Sequence, residues 1–162
     1  MLYIRNESTN PYFNLAMEEY LFNLNDGQSY VLLWQNEPTI VVGKHQNTAE
    51  EINSEYVKEK GIHIVLSTGR ILSSAEEINS DYVKEKGINV VRRITGGGAV
   101  YHDLGNLNYT FIIKGLEKSE FDFRKFTMPI IRALKKLGVE SKLSGRNDIT
   151  IDGRKFSGNA QA

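Results

Sequence analysis

A segment of 17 residues occurs twice in this chain of 162 residues and constrains the fold more than any other sequence feature. Residues 49–65 return almost verbatim as residues 75–91, with three substitutions and a period of 26 residues. Each copy starts with helix-favouring residues, passes a glycine (Gly61 or Gly87) and ends in a β-branched run, which predicts a helix followed by a strand. Solenoids need about three or more repeats to bury a core. Two copies therefore favour a tandem duplication within one domain.

Both copies are preceded by a capping box, Thr48-x-x-Glu51 in the first and Ser74-x-x-Glu77 in the second, which predicts where each helix begins. The first copy continues into residues 66–74, which contain no glycine run, whereas the second copy continues directly into a glycine-rich stretch. We therefore expect the second copy to supply the native helix and strand, and the first copy to be an inserted duplicate.

The glycine-rich stretch is Arg92–Asp103, with the sequence RRITGGGAVYHD. Its three consecutive glycines, Gly96–Gly98, can take positive φ and let a ligand approach the backbone, and successive N–H groups can form a concavity for anions. Arg92 and Arg93 add charge that suits phosphate or carboxylate. Apolar runs on both sides predict strands. The stretch is therefore either a ligand-binding loop between strands or a glycine-rich turn with two surface arginines.

Composition excludes several classes of function. Twenty basic residues balance twenty acidic ones, so net charge does not favour a nucleic-acid or membrane partner. The sequence contains no cysteine, which excludes disulfides, thiolate metal sites and a cysteine nucleophile within these residues. No signal peptide or membrane-spanning run is present, so we expect a soluble, cytoplasmic protein. The histidines follow no metal-ligand spacing; they are His45, His63 and His102.

The first fifty residues predict a strand, a helix and a pair of strands. Asn10-Pro11 favours the start of the helix, and Glu18 and Glu19 are expected on its solvated face rather than as a catalytic pair. The next apolar runs, 30–34 and 39–42, flank four turn-forming residues and predict a hairpin. The helix positions expected to face the core are Phe13, Met17, Tyr20, Leu21 and Leu24.

The second half alternates strands with one amphipathic helix, expected over 121–137 and ended by Gly138. Asp152-Gly153 between two short apolar runs is a strong hairpin signal. The apolar positions expected on one face of the helix are Phe126, Ile130, Leu134 and Leu137. The predicted strands are 88–91, 108–113, 139–143, 149–151 and 154–156.

Three further polar stretches fall on turns or strand ends. Gly43–Asn47 is either an ordinary loop or lines the same pocket as the glycines. Lys155 either supplies a point charge for negative charge developing on a phosphate or carbonyl oxygen, or is an edge-strand lysine that discourages aggregation. Asp148 either holds Mg²⁺ or orients that lysine, or is an ordinary turn aspartate. No P-loop is present, and Tyr101 stands where a dinucleotide-binding loop would have its third glycine.

The chain resembles the lipoate–protein ligases along nearly its whole length. The stretch from Arg92 to Asn108 resembles their signature, and the other motifs follow in the same order as in that family. These other motifs are Tyr12–Glu19, Trp34–Asn36, Val42–Asn47, Gly145–Asp148 and Gly153–Gly158.

The resemblance implies a mixed α/β domain, a mixed β-sheet flanked by helices, related to biotin–protein ligases and class II aminoacyl-tRNA synthetases. It implies that ATP and Mg²⁺ activate lipoate (lipoic acid) to lipoyl-adenylate, with release of pyrophosphate. The lipoyl group then passes to a lysine of a lipoyl domain, either on E2 subunits of 2-oxoacid dehydrogenase complexes or on the glycine-cleavage H protein.

The resemblance also implies roles for individual residues. Lys155 matches the catalytic lysine that contacts both carboxylate and phosphate, and Asp148 matches a position beside the nucleotide and metal, which suggests a Mg²⁺ ligand. The residues implied to bind ATP or lipoyl-AMP are Arg93, Gly96, Gly97, Gly98, Ala99, Val100, Tyr101, His102, Asn147, Asp148 and Lys155.

Two departures from the family pattern lead to further expectations. Family members have one copy of the helix–strand unit, and they continue past Gln161 into further elements and often a C-terminal accessory domain. We therefore expect residues 1–162 to be a single, incomplete catalytic domain that binds weakly or turns over poorly. Two alternatives remain open: a cysteine-dependent octanoyl or lipoyl transferase that needs no ATP, and a non-catalytic fragment that binds lipoate or lipoyl domains.

Overall fold

The computed structural model describes residues 1–46, 85–115, 122–145 and 147–162. Two compact units make up the chain, Met1–Ile113 and Lys114–Gln161. In chain order the described elements are β1 (Leu2–Arg5), α1 (Pro11–Asn23), β2 (Tyr30–Trp34), β3 (Thr39–Val42), β4 (Asn89–Arg92), β5 (Val100–His102), β6 (Asn108–Ile112), α2 (Phe123–Lys136), β7 (Lys142–Ser144), β8 (Asp148–Ile151) and β9 (Arg154–Gly158).

The first unit contains two mixed three-stranded sheets. One has the order β1-β2-β6, in which β1 runs parallel and β6 antiparallel to β2. The other has the order β4-β3-β5, in which β4 runs parallel and β5 antiparallel to β3. Because helix α1 packs against this core, the predicted mixed α/β class is confirmed. The buried core side chains are Leu15, Leu21, Tyr30, Leu32, Trp34, Val41, Val91 and Ile112.

Helix α1 begins as predicted, but its predicted buried face is only partly confirmed: Leu21 lies in the core, and Met17 and Leu24 pack against it. The Asn10 side chain caps it by accepting hydrogen bonds from the backbone N–H groups of Tyr12 and Phe13, both at 3.0 Å. Phe13 and Tyr20, expected in the core, are 54% and 63% exposed. The expectation that Glu18 lies on the solvated face is also wrong, because Glu18 is buried and its carboxylate accepts a hydrogen bond from Thr110. The buried residues of α1 are Pro11, Asn14, Leu15, Glu18 and Leu21.

The predicted hairpin between β2 and β3 is wrong, although both strands have the predicted bounds. The two strands belong to different sheets, and the connection between them is anchored inside the protein. Asn36 is fully buried, where its side chain accepts a hydrogen bond from Asn14 at 2.9 Å and lies 3.3 Å from the His102 ring. The turn-forming residues 35–38 therefore connect two different sheets instead of two strands of one hairpin.

The second unit consists of α2 and the antiparallel sheet β7-β8-β9. Asp122 caps the start of α2, and Gly138, with φ of 82°, follows its end as predicted. The predicted β8–β9 hairpin is confirmed: Asp152 and Gly153 have φ of 49° and 75°, as a two-residue turn of the I′ type requires. The strand expected over 139–143 is instead β7, which starts three residues later.

Several residues for which the sequence makes predictions lie outside the described residues. This applies to the first repeat copy, to residues 75–84 of the second copy with both capping boxes, and to Asn47 and Arg146. The end of the second copy is described: Gly87 has φ of 61° and β4 follows it, so the glycine and the strand predicted there are confirmed. Within the described ranges, no helix is long and apolar enough to cross a membrane.

Candidate functional site

The glycine-rich loop lies directly against the loop that follows β3. The backbone N–H of Lys44 donates to the carbonyl of Thr95 at 2.8 Å, and the N–H of Arg93 donates to Val42 at 3.0 Å. A Cβ built on Gly43 would lie only 1.8 Å from the carbonyl oxygen of Gly97. The structure therefore brings Gly43–Gln46 together with the glycines, and the approach is so close that position 43 admits no side chain.

The three consecutive glycines differ from one another. Gly97 alone has a left-handed φ, at 103°, and a Cβ there would meet the Arg93 guanidinium at 2.9 Å. A Cβ on Gly98 would meet nothing within 4 Å. Beyond the glycines, Val100 and Tyr101 are exposed on β5, and Ala99 is half-buried. The loop thus needs glycine for its backbone conformation at Gly97, and it has an open side at Gly98, where a ligand could approach the backbone.

Arg93 holds this loop together from the inside. Its Nε donates to Thr95 Oγ1 at 3.1 Å, and its Nη2 donates to the carbonyls of Gly96 and Gly98 at 2.9 and 2.8 Å. Its Nη1 donates to the carbonyl of Val41 at 3.0 Å. Four of the five N–H groups of a guanidinium are therefore engaged by loop and strand oxygens. The guanidinium therefore fixes the conformation of the loop backbone that surrounds it.

Arg92 plays a similar part for the neighbouring loop. Its Nη1 lies 2.6 Å from the carbonyl oxygen of Gly43 and 3.0 Å from that of Gln46, and its side chain is buried. The backbone N–H of Gly43 in turn donates to Oε1 of Gln46 at 2.7 Å. The two adjacent arginines therefore each order one of the two loops that meet at Gly43.

A buried hydrogen-bond chain lies beside Arg93. Trp34 Nε1 donates to Thr110 Oγ1 at 3.2 Å, and the Thr110 hydroxyl donates to Glu18 Oε1 at 2.6 Å. Burial raises the pKa of Glu18, while the hydrogen bond from Thr110 and the positive charge of Arg93 oppose that rise. Burial likewise lowers the pKa of Arg93, and the Glu18 carboxylate opposes that change. Each of the two side chains therefore favours the charged form of the other, against the effect of burial.

His102 is buried at the end of β5, where its ring contacts Trp34 edge-on at a centroid distance of 6.0 Å. Its Nδ1 lies 3.3 Å from Nδ2 of Asn36 and 3.5 Å from Nδ2 of Asn108. Burial, with a smaller effect from the Arg93 charge, lowers the pKa of His102 to about 4. Two amide donors facing one ring nitrogen suit the neutral imidazole, so His102 is an uncharged structural partner of the strands at neutral pH.

In the second unit, Lys155 and Asp148 form an ion pair across the β8–β9 hairpin. Lys155 Nζ lies 3.0 Å from Asp148 Oδ1, and the lysine side chain remains 62% exposed. Asn147, just before β8, donates from Nδ2 to the carbonyl of Asn159 at 2.5 Å, and Asn159 returns a bond to the carbonyl of Asn147 at 2.6 Å. An accessible ammonium is thereby fixed at one end of the sheet.

The predicted metal site offers one carboxylate, that of Asp148. Among the residues that the structure describes, no three His, Cys, Asp or Glu side chains are grouped so that they could hold a metal. Asp148, expected as a Mg²⁺ ligand, has one oxygen paired with Lys155. Protein-bound Mg²⁺ commonly takes one or two carboxylates and completes its shell with substrate phosphates and water, so this donor set suits a nucleotide-bound ion.

Sequence reasoning missed several residues of this arrangement. Glu18 and Thr110 were not expected to pair, because a Glu-Glu sequence on a helix normally marks a solvated face. The tight approach at Gly43 was also missed, because a lone glycine after a strand carries no sign of what packs against it. Asn36 showed only a turn-like context. Each of these roles depends on contacts between residues far apart in sequence, which local patterns do not encode.

Comparison with known proteins identifies the family. The model of the lipoyl protein ligase A/B catalytic domain matches residues 10–69 and 65–162, two stretches that overlap at residues 65–69. The lipoate–protein ligase LplJ of Bacillus subtilis is 50% identical over 99% of this chain and 41% of its own length. Lipoate–protein ligase 1 of Staphylococcus aureus is 45% identical over 96% of the chain and 40% of its own length.

Solved structures agree with this result. LipL1 of P. falciparum, solved in complex with lipoate, matches 98% of this chain and 42% of its own at a TM-score of 0.63 and 32% identity. A bipartite lipoate protein ligase of Thermoplasma acidophilum, studied with its E2 lipoyl domain, matches 99% of this chain at a TM-score of 0.72 and 25% identity. The chain spans about two fifths of the length of the curated relatives. It belongs to the lipoyl protein ligase A/B catalytic domain family.

Proposed function

We propose that this chain carries the acyl-activating site of a lipoate–protein ligase. In the proposed reaction, a lipoate carboxylate oxygen attacks the α-phosphorus of ATP, the bond to the β-phosphate oxygen breaks, and lipoyl-adenylate and pyrophosphate form. The acyl group then passes to a lysine ε-amine of an acceptor protein, and AMP leaves. The observation that carries the proposal is the 50% identity to a lipoate–protein ligase along nearly the whole chain.

Lys155 is the residue to which we assign the central catalytic role. Two negatively charged reactants must approach each other in the first step, and an ammonium in contact with carboxylate and phosphate offsets their repulsion. The exposed ammonium of Lys155, already oriented by Asp148 at 3.0 Å, is available for such contacts. Because only one Asp148 oxygen holds it, substrate oxygens can join its remaining donors.

Arg93 supports the proposed nucleotide site in a different way. Its N–H groups bind the carbonyls of Gly96 and Gly98, which turns the loop so that its remaining backbone groups can face a ligand. Its charge also acts on an anion without a direct hydrogen bond, because Coulomb attraction between half-buried groups extends over several ångströms. We therefore assign Arg93 to ordering of the glycine loop and to electrostatic attraction of the phosphates.

The remaining loop residues would contribute backbone rather than side-chain contacts. The segment Gly96–Tyr101 offers N–H groups and an open side at Gly98, where an added Cβ would meet no atom. We assign these residues to ATP or lipoyl-adenylate binding. For His102, whose ring is buried among Trp34 and two asparagines, we assign a supporting role in which it holds the end of β5 in place.

The proposed metal is a Mg²⁺ ion that arrives with ATP. Asp148, and the adjacent Asn147 through its side-chain oxygen, are the described residues to which we assign contact with the nucleotide and its ion. Such an ion would neutralise charge on the phosphates and so favour attack at phosphorus. Orientation of Lys155 by Asp148 is a property of the protein itself and does not depend on the ion.

The proposed acceptor is a lipoyl domain. Its E2 form is favoured by the T. acidophilum ligase, which was studied with its E2 lipoyl domain and matches 99% of this chain. The lipoyl-carrying H protein of glycine cleavage is a second proposed acceptor. The chemistry requires an acceptor lysine that loses its proton before it attacks the mixed anhydride, since an unperturbed lysine has a pKa of about 10.4.

A cysteine-dependent octanoyl or lipoyl transferase is the alternative within the family, whose model covers both A and B types. That reaction forms a thioester on the enzyme and needs no ATP. Within these 162 residues no cysteine is present to form the thioester, which favours the ligase. The other alternative, a binding module without chemistry, predicts that Lys155 can be removed without consequence.

The test is exchange of labelled pyrophosphate into ATP, measured with and without lipoate in the presence of Mg²⁺. We expect lipoate-dependent exchange in the 162-residue chain and at least a roughly hundredfold loss in Lys155→Ala, comparable to the removal of an electrostatic stabiliser from other active sites. Lys142→Ala is the matched control, because Lys142 is an exposed lysine of the same sheet with no assigned role. Equal rates in all three proteins would contradict the assignment of Lys155.

A further inference from the structure

The end of β9 has a steric feature that the proposed chemistry does not explain by itself. A Cβ built on Gly158 would lie 3.1 Å from both Cε and Nζ of Lys155, and 3.5 Å from Oδ1 of Asp148. The first two distances are tighter than ordinary van der Waals contact. Gly158 does not have a left-handed φ, so the backbone conformation does not demand glycine at this position. What a side chain would disturb here is the lysine.

The strand register explains why the end of the Lys155 side chain lies beside Gly158. Asp148 lies opposite Gly158, whereas Lys155 lies opposite Thr150, and the register shifts between Ile149 and Thr150. The two charged residues are therefore not cross-strand neighbours. The end of the lysine side chain lies beside Gly158, where Cε and Nζ occupy the space next to a Cβ, and Nζ reaches the carboxylate at 3.0 Å.

The strand end that carries Gly158 is held in place. Asn147 and Asn159 flank the Asp148–Gly158 pair and exchange side-chain-to-carbonyl hydrogen bonds at 2.5 and 2.6 Å. The backbone N–H of Asn159 also donates to the carbonyl of Asn147 at 3.1 Å. The backbone of Gly158 cannot easily move away from an obstruction, whereas the end of a lysine side chain can. A methyl group at position 158 would therefore displace the ammonium rather than the strand.

We propose that Gly158 is a positioning residue, whose missing side chain lets the Lys155 ammonium lie across the strand end and pair with Asp148. Its catalytic consequence rests on the proposed ligase function, but the placement of the ammonium does not. The prediction that separates this role from an ordinary structural one is dependence on the lysine. With Lys155 present, an alanine at position 158 disrupts the ion pair; with Lys155 removed, the same alanine meets no crowded atom.

The experiment uses the full chain in four forms: unaltered, Gly158→Ala, Lys155→Ala and the double variant. NMR on protein labelled with ¹³C and ¹⁵N measures the contact between Lys155 Hε and Gly158 Hα, and the coupling across the hydrogen bond from Lys155 ¹⁵Nζ to Asp148 ¹³Cγ. We expect both signals in the unaltered chain and loss of the coupling in Gly158→Ala. Persistence of the coupling in Gly158→Ala would overturn the proposal.

Thermal unfolding of the same four proteins covers the case in which Gly158→Ala folds poorly. We expect Gly158→Ala to lower the melting temperature of the unaltered chain and to leave that of Lys155→Ala unchanged. An equal loss in both backgrounds would show that glycine is needed by the backbone alone, and would overturn the proposal.

Pyrophosphate exchange then reports the catalytic consequence. We expect the lipoate-dependent rate of Gly158→Ala to fall by about tenfold or more, because the charge no longer occupies the position where it stabilises the transition state. An unchanged rate in a variant that has lost the ion pair would overturn the positioning role. Absence of exchange in the unaltered chain would instead count against the ligase function, and the NMR coupling would still decide the placement.

Discussion

Two buried titratable side chains of the first unit, His102 and Glu18, respond to burial in opposite directions. Burial disfavours the charged form of each, so it lowers the pKa of the histidine and raises the pKa of the glutamate. The charge of Arg93 lowers both pKa values. It therefore adds to the effect of burial on His102 and opposes the effect of burial on Glu18. The stability of this unit should therefore vary with pH in a way that single substitutions can assign.

For His102, we expect stability to be lost as the pH falls. The ring has a pKa of about 4 in the folded chain and 6.5 as its ordinary value, so between these values the unfolded chain binds more protons. The contribution is fully present above pH 6.5, is lost progressively toward pH 4 and amounts to roughly 3 kcal/mol. Urea unfolding of the chain and of His102→Gln at pH 7 and pH 4.5 measures it. An identical loss in both proteins would rule out this assignment.

At Gly43, we expect that even one methyl group is too many. The added Cβ of Gly43→Ala would lie 1.8 Å from the Gly97 carbonyl oxygen, which forces the two loops apart at a cost of about 1–3 kcal/mol, as for other overpacked sites. Gly98→Ala is the matched control, because it adds the same group in open space to the glycine loop that Gly43 approaches. Denaturant unfolding compares them, and equal losses would mean that the close approach does not constrain the fold.

At the scale of elements, local chemistry predicted the secondary structure well and the partners of each element poorly. The strands β2 and β3, the cap of α1 and the Asp152-Gly153 hairpin follow from residue types at fixed spacing. The β2–β3 hairpin failed because a turn composition fits equally a passage between two sheets. The buried face of α1 was predicted only in part, because Asn14 and Glu18 are buried with specific hydrogen bonds, which an apolar periodicity cannot reveal.

The link between α1 and the first sheet depends on Thr110, so we expect Thr110→Val to be costly. It leaves Trp34 Nε1 and the buried carboxyl of Glu18 without their shared partner, a loss of about 1–3 kcal/mol. Because Trp34 is the only tryptophan, its fluorescence during denaturant unfolding measures the change in the free energy of unfolding. Thr150→Val is the control, since the hydroxyl of Thr150 makes an exposed 3.4 Å contact. A change of equal size in both variants would mean that the buried chain contributes little.

At the scale of the whole molecule, the strand expected at the end of the second repeat copy is confirmed, whereas its pairing was not predicted. The strand β4 pairs in parallel with β3 and leads into the glycine loop. The candidate site was predicted only as separate motifs, because each motif is contiguous in sequence. The self-contained bonding of Arg93, the buried state of His102 and the placement of Lys155 beside Gly158 were not predicted, because they depend on how separate strands align.

Deletion of residues 49–74 should therefore leave the folded core intact. It removes one 26-residue period and leaves Thr48 three positions before Glu77, so a capping box still precedes the remaining copy. The connection between β3 and β4 becomes roughly half as long, which changes the closure entropy by only about 0.6 kcal/mol. Deletion of 66–91 yields nearly the same sequence and serves as the control. If both deletions unfold the chain, the extra copy is an integral part of the structure.

In the proposed reaction this chain joins the lipoate carboxylate to the α-phosphate of ATP, and transfer of an oxygen isotope tests that step. Lipoate labelled with ¹⁸O in its carboxylate is incubated with the chain, ATP and Mg²⁺, with hydroxylamine present to take the acyl group at carbon. We expect AMP that carries one ¹⁸O atom, formed by the unaltered chain and lost in Lys155→Ala. AMP without the label, or no AMP from a folded chain, would contradict the proposed step.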